Sequence, residues 1–191
     1  MSKFELSEER EQFKKLAAEF AQGEIAPIAN QFDESGDFPR SLIEKAWEIG
    51  LTNFQIPEEF GGMGLSTLDS CVILEELAAG CSGIAGAIEA SAIAILPLLI
   101  QGSREQQEKF FQPLVDNCGL AGYTSSDATK CNITYKKDGN RFKLEGNHSL
   151  LVNGNQAEWY LVTAKEKNEE KYSLFIIPKE TQGFNIGERI V

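Results

Sequence analysis

The sequence has little basic charge and almost no histidine. Its 191 residues include 18 lysines and arginines against 29 aspartates and glutamates, a net charge of −11, and one histidine. Binding to nucleic-acid phosphates needs concentrated positive charge, so this balance argues against a nucleic-acid partner. The single histidine, His148, lies near a predicted turn, where we expect solvent exposure or a local hydrogen bond rather than catalysis.

Cysteine is also sparse. The four cysteines are Cys71, Cys81, Cys118 and Cys131. None of them has CxxC spacing, so we expect no metal site, and four are too few for a disulfide scaffold in a chain of this length. The N-terminal residues contain no apolar signal core, and we therefore expect a cytoplasmic protein.

No hydrophobic run is long and uniform enough to predict a membrane span. The longest, Gly83–Ile100, has only Glu89 and Ser91 as polar residues. A spanning helix needs about 20 apolar residues and rarely carries a central carboxylate, so we predict one buried core helix instead. Glu89 would then either face water or mark a polar spot in a ligand cavity, and the sequence leaves both alternatives open.

Helical periodicity dominates the first part of the chain, and short alternating strands follow Cys118. The expected helix boundaries are marked by Ser7 and Gly23, Phe38-Pro39 and Gly50, Ser66 or Thr67, Ser82, and a capping box at Ser103–Gln106. The expected strands are Gly119–Tyr123, Ile133–Tyr135, Arg141–Glu145, Ser149–Val152, Trp159–Thr163 and Tyr172–Ile177, with a hairpin turn at Asp138-Gly139. The predicted fold class is α+β, with an N-terminal all-α domain over residues 1–117 and a small antiparallel β-domain over residues 118–191.

A series of short motifs in one collinear order gives the most specific signal. In the helical part they are Ala26-Pro-Ile28, Gly36–Arg40, Gly50-Leu51, Ile56–Gly62, Glu75–Ala78 and Gly102–Gln106. In the strand part they are Leu144–Gly146, Asn153-Gly154, Trp159-Tyr160 and Gly183–Ile186. In this order the chain resembles the acyl-CoA dehydrogenases, which are flavoenzymes. The resemblance covers that family's N-terminal helical domain and the start of its middle β-domain, so we expect a truncated member.

The resemblance implies an FAD site whose positions carry unsuitable side chains. The family's flavin loop, Tyr-x-Leu-Thr-Glu-Pro-x-x-Gly-Ser-Asp, is shortened here to Gly122–Asp127, in which the resemblance aligns Thr124 with the family's threonine in a changed setting. The family's Trp-Ile-Thr or Trp-Ile-Ser is replaced by Leu150, Leu151 and Val152. In the family the tryptophan covers the isoalloxazine ring and the hydroxyl bonds a ring nitrogen. The family's catalytic base lies in a C-terminal domain beyond residue 191. We therefore expect no FAD and no catalytic residue.

The apolar helices suggest a binding role instead. In the family, the fatty acyl chain threads among the helices that match residues 67–101. We predict a non-catalytic protein that holds a fatty acid or acyl thioester in an apolar cavity. The expected lining residues are Ile84, Ala87, Ile88, Ala92, Ile95, Leu96 and Leu99. The small residues can equally mean close packing, which favours an interaction protein, and a residual dehydrogenase is a third alternative. We also expect a homodimer with helices of residues 67–115 in its interface.

Overall fold

The computed structural model describes residues 6–124 and 132–189 of the chain. Its backbone contacts group into two units: a helical unit that runs to Cys118 and a β-unit that starts at Gly119. Helices make up the first unit and strands the second, which confirms the predicted α+β fold class.

The helical unit contains seven α-helices among the described residues. They are α1 (Glu8–Phe20), α2 (Ala29–Ser35), α3 (Arg40–Glu48), α4 (Thr67–Gly80), α5 (Ser82–Glu89), α6 (Ala92–Gln101) and α7 (Arg104–Asp116). Serine caps fix three of the starts. The Ser7 hydroxyl accepts a hydrogen bond from the Arg10 N–H at 3.3 Å, and Ser66 and Ser103 each form a capping box. The starts predicted at these serines are confirmed.

Two predicted helix boundaries were wrong. Gly23 was expected to end the first helix, but it lies in a π-helical turn, Ala21–Ile25, that continues α1. The segment Gly83–Ile100 was expected to be one helix, but a turn at Ala90–Ser91 separates α5 from α6. Neither residue of that turn is a strong helix breaker. The turn adjoins Glu89, which is held by a side chain from a distant part of the sequence, and a local pattern does not encode such a contact.

At the centre of the helical unit α1 packs on α4 and α4 packs on α5, and side chains of α3 and α7 also enter the core. Its fully buried large side chains include Ile25, Ile43, Ile73, Leu77, Ile88 and Phe111. Burial of each side chain of this size contributes about 1.5–3 kcal/mol. The unit therefore has a substantial core of its own.

One segment of the described chain, Ser82–Gln101, has the length and hydropathy of a membrane-spanning helix. Its inner side is packed within the helical unit, where Ile84 is 3% exposed and Ile88 and Ile95 are fully buried. Core helices of globular proteins share this length and composition, so the segment is weak evidence for a membrane span.

The β-unit contains six strands among the described residues. They are β1 (Ala121–Thr124), β2 (Thr134–Asp138), β3 (Arg141–Glu145), β4 (Leu151–Val152), β5 (Trp159–Glu166) and β6 (Tyr172–Pro178). The β2–β3 hairpin turns after Asp138 at Gly139, which has a φ of 60°, and this confirms the predicted turn.

Strand β5 is the centre of the sheet. It runs parallel to β1 in its first half and to β2 at its end, and antiparallel to β6 along its other edge. The sheet is therefore mixed rather than antiparallel throughout. From Trp159 to Ala164 every residue of β5 is buried, as expected for a central strand covered on both faces.

Candidate functional site

The glycine-rich loop between α3 and α4 owes its path to close backbone approach. The Gly64 N–H donates a hydrogen bond to the Ile56 carbonyl at 2.8 Å. A Cβ atom at Gly62 would lie 2.0 Å from the same carbonyl oxygen, a distance that no side chain tolerates. Gly61 and Gly64 have positive φ angles of 85° and 62°, which glycine adopts without strain. The Gly-Gly pair of the Ile56–Gly62 motif is thus a requirement of this fold.

The same loop places a buried glutamine against two helices. Gln55 is 8% exposed, and its Nε2 donates to the Ser70 hydroxyl of α4 at 3.3 Å and to the carboxylate of Glu89 at the end of α5. This polar cluster, Gln55–Ser70–Glu89, joins the loop to both helices. Within the described chain, the side-chain amide oxygen of Gln55 (Oε1) has no hydrogen-bond partner. The hydroxyl oxygen of the buried Thr52 has none there either.

Burial changes the acidity of Glu89. Desolvation raises the pKa of its carboxyl from 4.5 to about 7, and the hydrogen bond from Gln55 opposes that rise. The group therefore exchanges a proton near neutral pH. The Glu89 side chain is half-buried, and its carboxylate accepts a hydrogen bond from Gln55. A protein contact thus accounts for this carboxylate, and a role in a ligand cavity stays a prediction. Neither Gln55 nor Ser70 was anticipated, because polar residues in a loop and in a helix give no sequence signal of a shared contact.

The seven predicted ligand-lining residues divide between two sides of α5 and α6. Four turn into the core of the helical unit: Ile84, Ile88 and Ile95 are at most 3% exposed, and Ala92 is 9% exposed. Ala87 and Leu99 are half-buried, and Leu96 is 40% exposed. The structure thus does not bring the seven together around one space.

An apolar surface runs along the other side of these helices, and we call it the outer face. It consists of Gly83, Gly86, Ala87, Ala90, Ile93, Leu96 and Ile100, all exposed or half-buried. Ile93 is 48% exposed and Ile100 73% exposed. A Cβ atom at Gly86 would meet no atom within 4 Å. The Gly86 position is therefore open to solvent, and the large exposed side chains of the outer face are on α6.

The positions expected to contact a flavin lie in β1 and β4. Leu151 pairs with Thr124 across the two strands, and Val152 pairs with Tyr123. The buried Thr124 hydroxyl oxygen accepts a hydrogen bond from the Thr163 N–H at 3.3 Å. The rest of the shortened loop, Ser125–Asp127, lies outside the described residues.

These side chains are a poor fit to a flavin ring. Leu150 is 51% exposed and has no flat aromatic surface with which to cover the ring. Leu151 and Val152 have no side-chain donor or acceptor, whereas the Thr124 hydroxyl, which accepts from the Thr163 N–H, keeps its own O–H to donate. A buried polar edge of a ligand without partners costs about 1–3 kcal/mol for each lost hydrogen bond. We therefore derive no chemical step through FAD.

A separate cleft of about 270 Å³ opens between the end of α3, the glycine-rich loop and α7. Two of its lining side chains are committed to holding α7: Trp47 Nε1–H donates to the Val115 carbonyl at 3.0 Å, and Asn53 Nδ2–H to the Leu114 carbonyl at 3.2 Å. None of the predicted ligand-lining residues borders this cleft.

Other candidate chemistry is weak in the described part of the chain. Cys71, Cys81 and Cys118 are free thiols, and Cys131 lies outside the described residues. Over residues 6–124 and 132–189, no group of histidine, cysteine, aspartate and glutamate side chains could hold a metal ion. The Nδ1 atom of His148 lies 2.8 Å from the Leu150 carbonyl oxygen, in the local contact expected from the sequence.

Comparison with known proteins decides the family. Residues 7–117 match the model of the acyl-CoA dehydrogenase N-terminal domain. The chain belongs to the acyl-CoA dehydrogenase family. This confirms the resemblance drawn from the collinear motifs, which extend over the same helices.

Relatives along nearly the whole chain support this assignment. The chain is 32% identical to a probable medium-chain specific acyl-CoA dehydrogenase of Caenorhabditis briggsae, with 97% of this chain and 48% of the relative covered. It is also 32% identical to the isobutyryl-CoA dehydrogenase of Dictyostelium discoideum, with 96% and 46% covered. The chain thus spans about half the length of the curated relatives that it matches.

A solved structure of the family has the same fold. The butyryl-CoA dehydrogenase of Megasphaera elsdenii superposes with a TM-score of 0.86 at 28% sequence identity, over 97% of this chain and 52% of that enzyme. The acyl-CoA dehydrogenase fold of the helical and β-units is therefore established over the length of this chain.

Proposed function

We propose that this acyl-CoA dehydrogenase homologue is a non-catalytic protein that binds a fatty acyl chain, as a fatty acid or an acyl thioester, along the outer face of α5 and α6. The observation that carries the proposal is the exposed apolar outer face, with open space at Gly86 and exposed aliphatic side chains at Ile93, Leu96 and Ile100. Relatives named for medium-chain, isobutyryl and butyryl thioesters of coenzyme A support an acyl ligand.

The outer face suits an acyl chain better than the interior of the helical unit does. Ile84, Ile88 and Ile95 fill the inner side of α5 and α6 and are almost wholly buried. The outer side instead offers open space at Gly86 and exposed aliphatic side chains on α6. An extended acyl chain can lay its methylenes against that surface without displacing core residues.

Chain-length dependence tests this proposal. Each buried methylene contributes about 0.8 kcal/mol, so Kd should fall about fourfold per added carbon until the apolar surface is covered. We expect this trend when fatty acids and acyl-CoAs of increasing length are titrated against the protein by calorimetry. Gly86→Leu places a side chain in the open space at Gly86 and should abolish the trend. Gly23→Leu, at another helical glycine with open space around it, should leave the trend intact. Absence of binding at every length would leave the interaction-protein alternative.

A second copy of the chain is the proposed cover of the outer face. Ile93, Leu96 and Ile100 recur at the spacing of one helix side, with exposed fractions of 48%, 40% and 73%. Water contact with so many large apolar side chains is unfavourable, and a homodimer contact of roughly 1,000 Å² would remove it. In the interaction-protein alternative, both copies make this same homodimer contact but hold no acyl ligand. Mass spectrometry of an organic extract of the purified protein separates the two, since only the first yields fatty acyl species.

The dimer prediction has a direct test. Ile100→Asp places a charge at the most exposed aliphatic position of the outer face, and we expect it to break this contact and lower the molar mass measured by light scattering. Ile49→Asp is the matched control, because Ile49 is 41% exposed and lies outside that face. If Ile100→Asp leaves the molar mass unchanged, the outer face is not the dimer contact.

We further propose that the chain binds no FAD. The support comes from Leu150, Leu151 and Val152, which provide neither a ring cover nor side-chain hydrogen bonds. A residual flavin-dependent dehydrogenase is accordingly the least favoured of the three functions.

A further inference from the structure

Strand β6 has an open edge. It pairs with β5 along one side, and over the described residues no strand pairs with its other side. Its hydrogen-bond phase is fixed at both ends: the Glu166 N–H donates to the Lys171 carbonyl at 2.7 Å, and the Lys179 N–H to the Glu158 carbonyl at 3.0 Å. The register between these bonds is uninterrupted. Odd-numbered residues of β6 therefore bond to β5, and even-numbered residues turn their backbone groups to the open edge.

The open edge presents the N–H and C=O groups of Tyr172, Leu174 and Ile176. Pro178 has no N–H and ends the row. Tyr172 is 40% exposed and Leu174 49% exposed, so these backbone groups lie beside apolar side chains that also face water. Sheet edges are usually protected by charged residues within the strand. Here the strand interior has none, and charges occur only at the flanking Lys171 and Lys179.

We propose that β6 pairs antiparallel with β6 of a second copy of this chain, about a twofold axis at Leu174. In that register Leu174 lies opposite Leu174 of the second copy, and Tyr172 lies opposite Ile176 of the second copy. Every outward N–H of each strand then meets a C=O of the other. A shift of this pairing register by two residues in one direction leaves Ile176 without a strand partner. A shift by two residues in the other direction places Pro178, which has no N–H, opposite Tyr172.

Charge also favours this register. It brings the tip of the β5–β6 hairpin of one copy beside the end of β6 in the other copy. Glu169 at that tip would lie near Lys179 of the second copy, and no lysine lies opposite another within the paired strands. In the single chain Glu169 and Lys179 make surface ion pairs, with Lys171 at 2.7 Å and Glu158 at 2.6 Å. Exposed pairs of this kind are weak, so both charges remain available to a partner.

This contact is independent of acyl binding and of the outer face. Each contact is twofold and self-complementary, so the two together would give a tetramer or an open chain of copies, and either alone would give a dimer. Loss of the β6 contact should therefore reduce the molar mass without changing acyl affinity. That difference separates a failure of this proposal from a failure of the proposed function.

Disulfide trapping tests both the contact and its register. Directly opposed residues of a hydrogen-bonded antiparallel pair have Cα atoms about 5.5 Å apart, a distance that a disulfide spans. Leu174→Cys should therefore give a disulfide-linked dimer under mild oxidation. Tyr172→Cys and Leu150→Cys should not exceed the background of the wild-type chain, because residue 172 would face residue 176 and Leu150, 51% exposed, lies outside the edge.

A charge at the centre of the edge gives the complementary result. Leu174→Lys would oppose two ammonium groups across the twofold axis, and we expect a lower molar mass by sedimentation at about 50 μM, whereas Leu150→Lys should match the wild type. The proposal is overturned if Leu174→Cys is trapped no faster than Leu150→Cys. It is equally overturned if Leu174→Lys leaves the mass unchanged, as it would if the edge pairs with a different protein.

Discussion

Glu89→Gln should stabilise the protein by about 3 kcal/mol above pH 7, and by about 1 kcal/mol at pH 5.5. Burial raises the pKa of the Glu89 carboxyl from 4.5 to about 7 in the folded chain. The folded state therefore binds the proton more tightly than the unfolded state. In the wild type, the contribution of the Glu89 carboxyl to the free energy of unfolding is fully present below about pH 4.5. It falls as the pH rises to about 7 and is then constant. Glutamine cannot ionise, so the variant avoids this loss.

Urea unfolding of the two proteins from pH 5.5 to 8.5 measures the effect. The expected signature is a gain that grows with pH, while the dependence of stability on urea concentration stays the same. Glu75→Gln, at an exposed glutamate on α4, serves as the control and should show no growing gain. An equal gain at every pH would mean that Glu89 acts through packing or the Gln55 contact, and not through its charge.

Gly62→Ala should be the most damaging single-methyl substitution in the glycine-rich loop. The added Cβ would lie 2.0 Å from the Ile56 carbonyl oxygen and 2.7 Å from the Ile56 Cβ, so the backbone on both sides must move. We expect a loss of about 3 kcal/mol or more, since overpacking against backbone atoms has no flexible side chain to absorb it. Thermal unfolding followed by circular dichroism gives the measurement.

Gly23→Ala provides the matched comparison. A Cβ at Gly23 would meet no atom within 4 Å, and the residue lies in a helical turn. Alanine should therefore be neutral or stabilise by about 0.5–1 kcal/mol. If Gly62→Ala and Gly23→Ala unfold at the same temperature, the close approach of Gly62 to Ile56 does not restrict position 62 to glycine.

Features encoded by adjacent residues were predictable from the sequence. The helix starts at Ser7, Ser66 and Ser103 were predictable because each serine side chain accepts a hydrogen bond from a backbone N–H of the next turn. The Asp138-Gly139 turn is likewise local. The Gln55–Ser70–Glu89 cluster was not predictable, since its members come from three elements. The same holds for the parallel pairing of β5 with β1 and β2, which depends on the order of distant strands.

The candidate site was predictable as a segment but not as a surface. A helix that is apolar all round carries no periodic signal of which side is buried. Ile84, Ile88 and Ile95 were therefore assigned to a ligand cavity although they lie in the core, and Ile93 and Ile100 on the outer face were left out. The expectation of no FAD rests on the side-chain types at residues 150–152 alone and stays a prediction.

Measurement of FAD binding tests directly whether the chain is a non-catalytic member of the family. The chain should be purified without added cofactor, dialysed to equilibrium against excess FAD, and compared by visible absorbance with a full-length acyl-CoA dehydrogenase treated in the same way. We expect no flavin retained above the dialysis buffer, because Leu150 and Val152 provide no ring contacts of the kind that hold FAD. One tightly bound FAD per chain would contradict the proposal of a non-catalytic protein without FAD and would restore the dehydrogenase alternative.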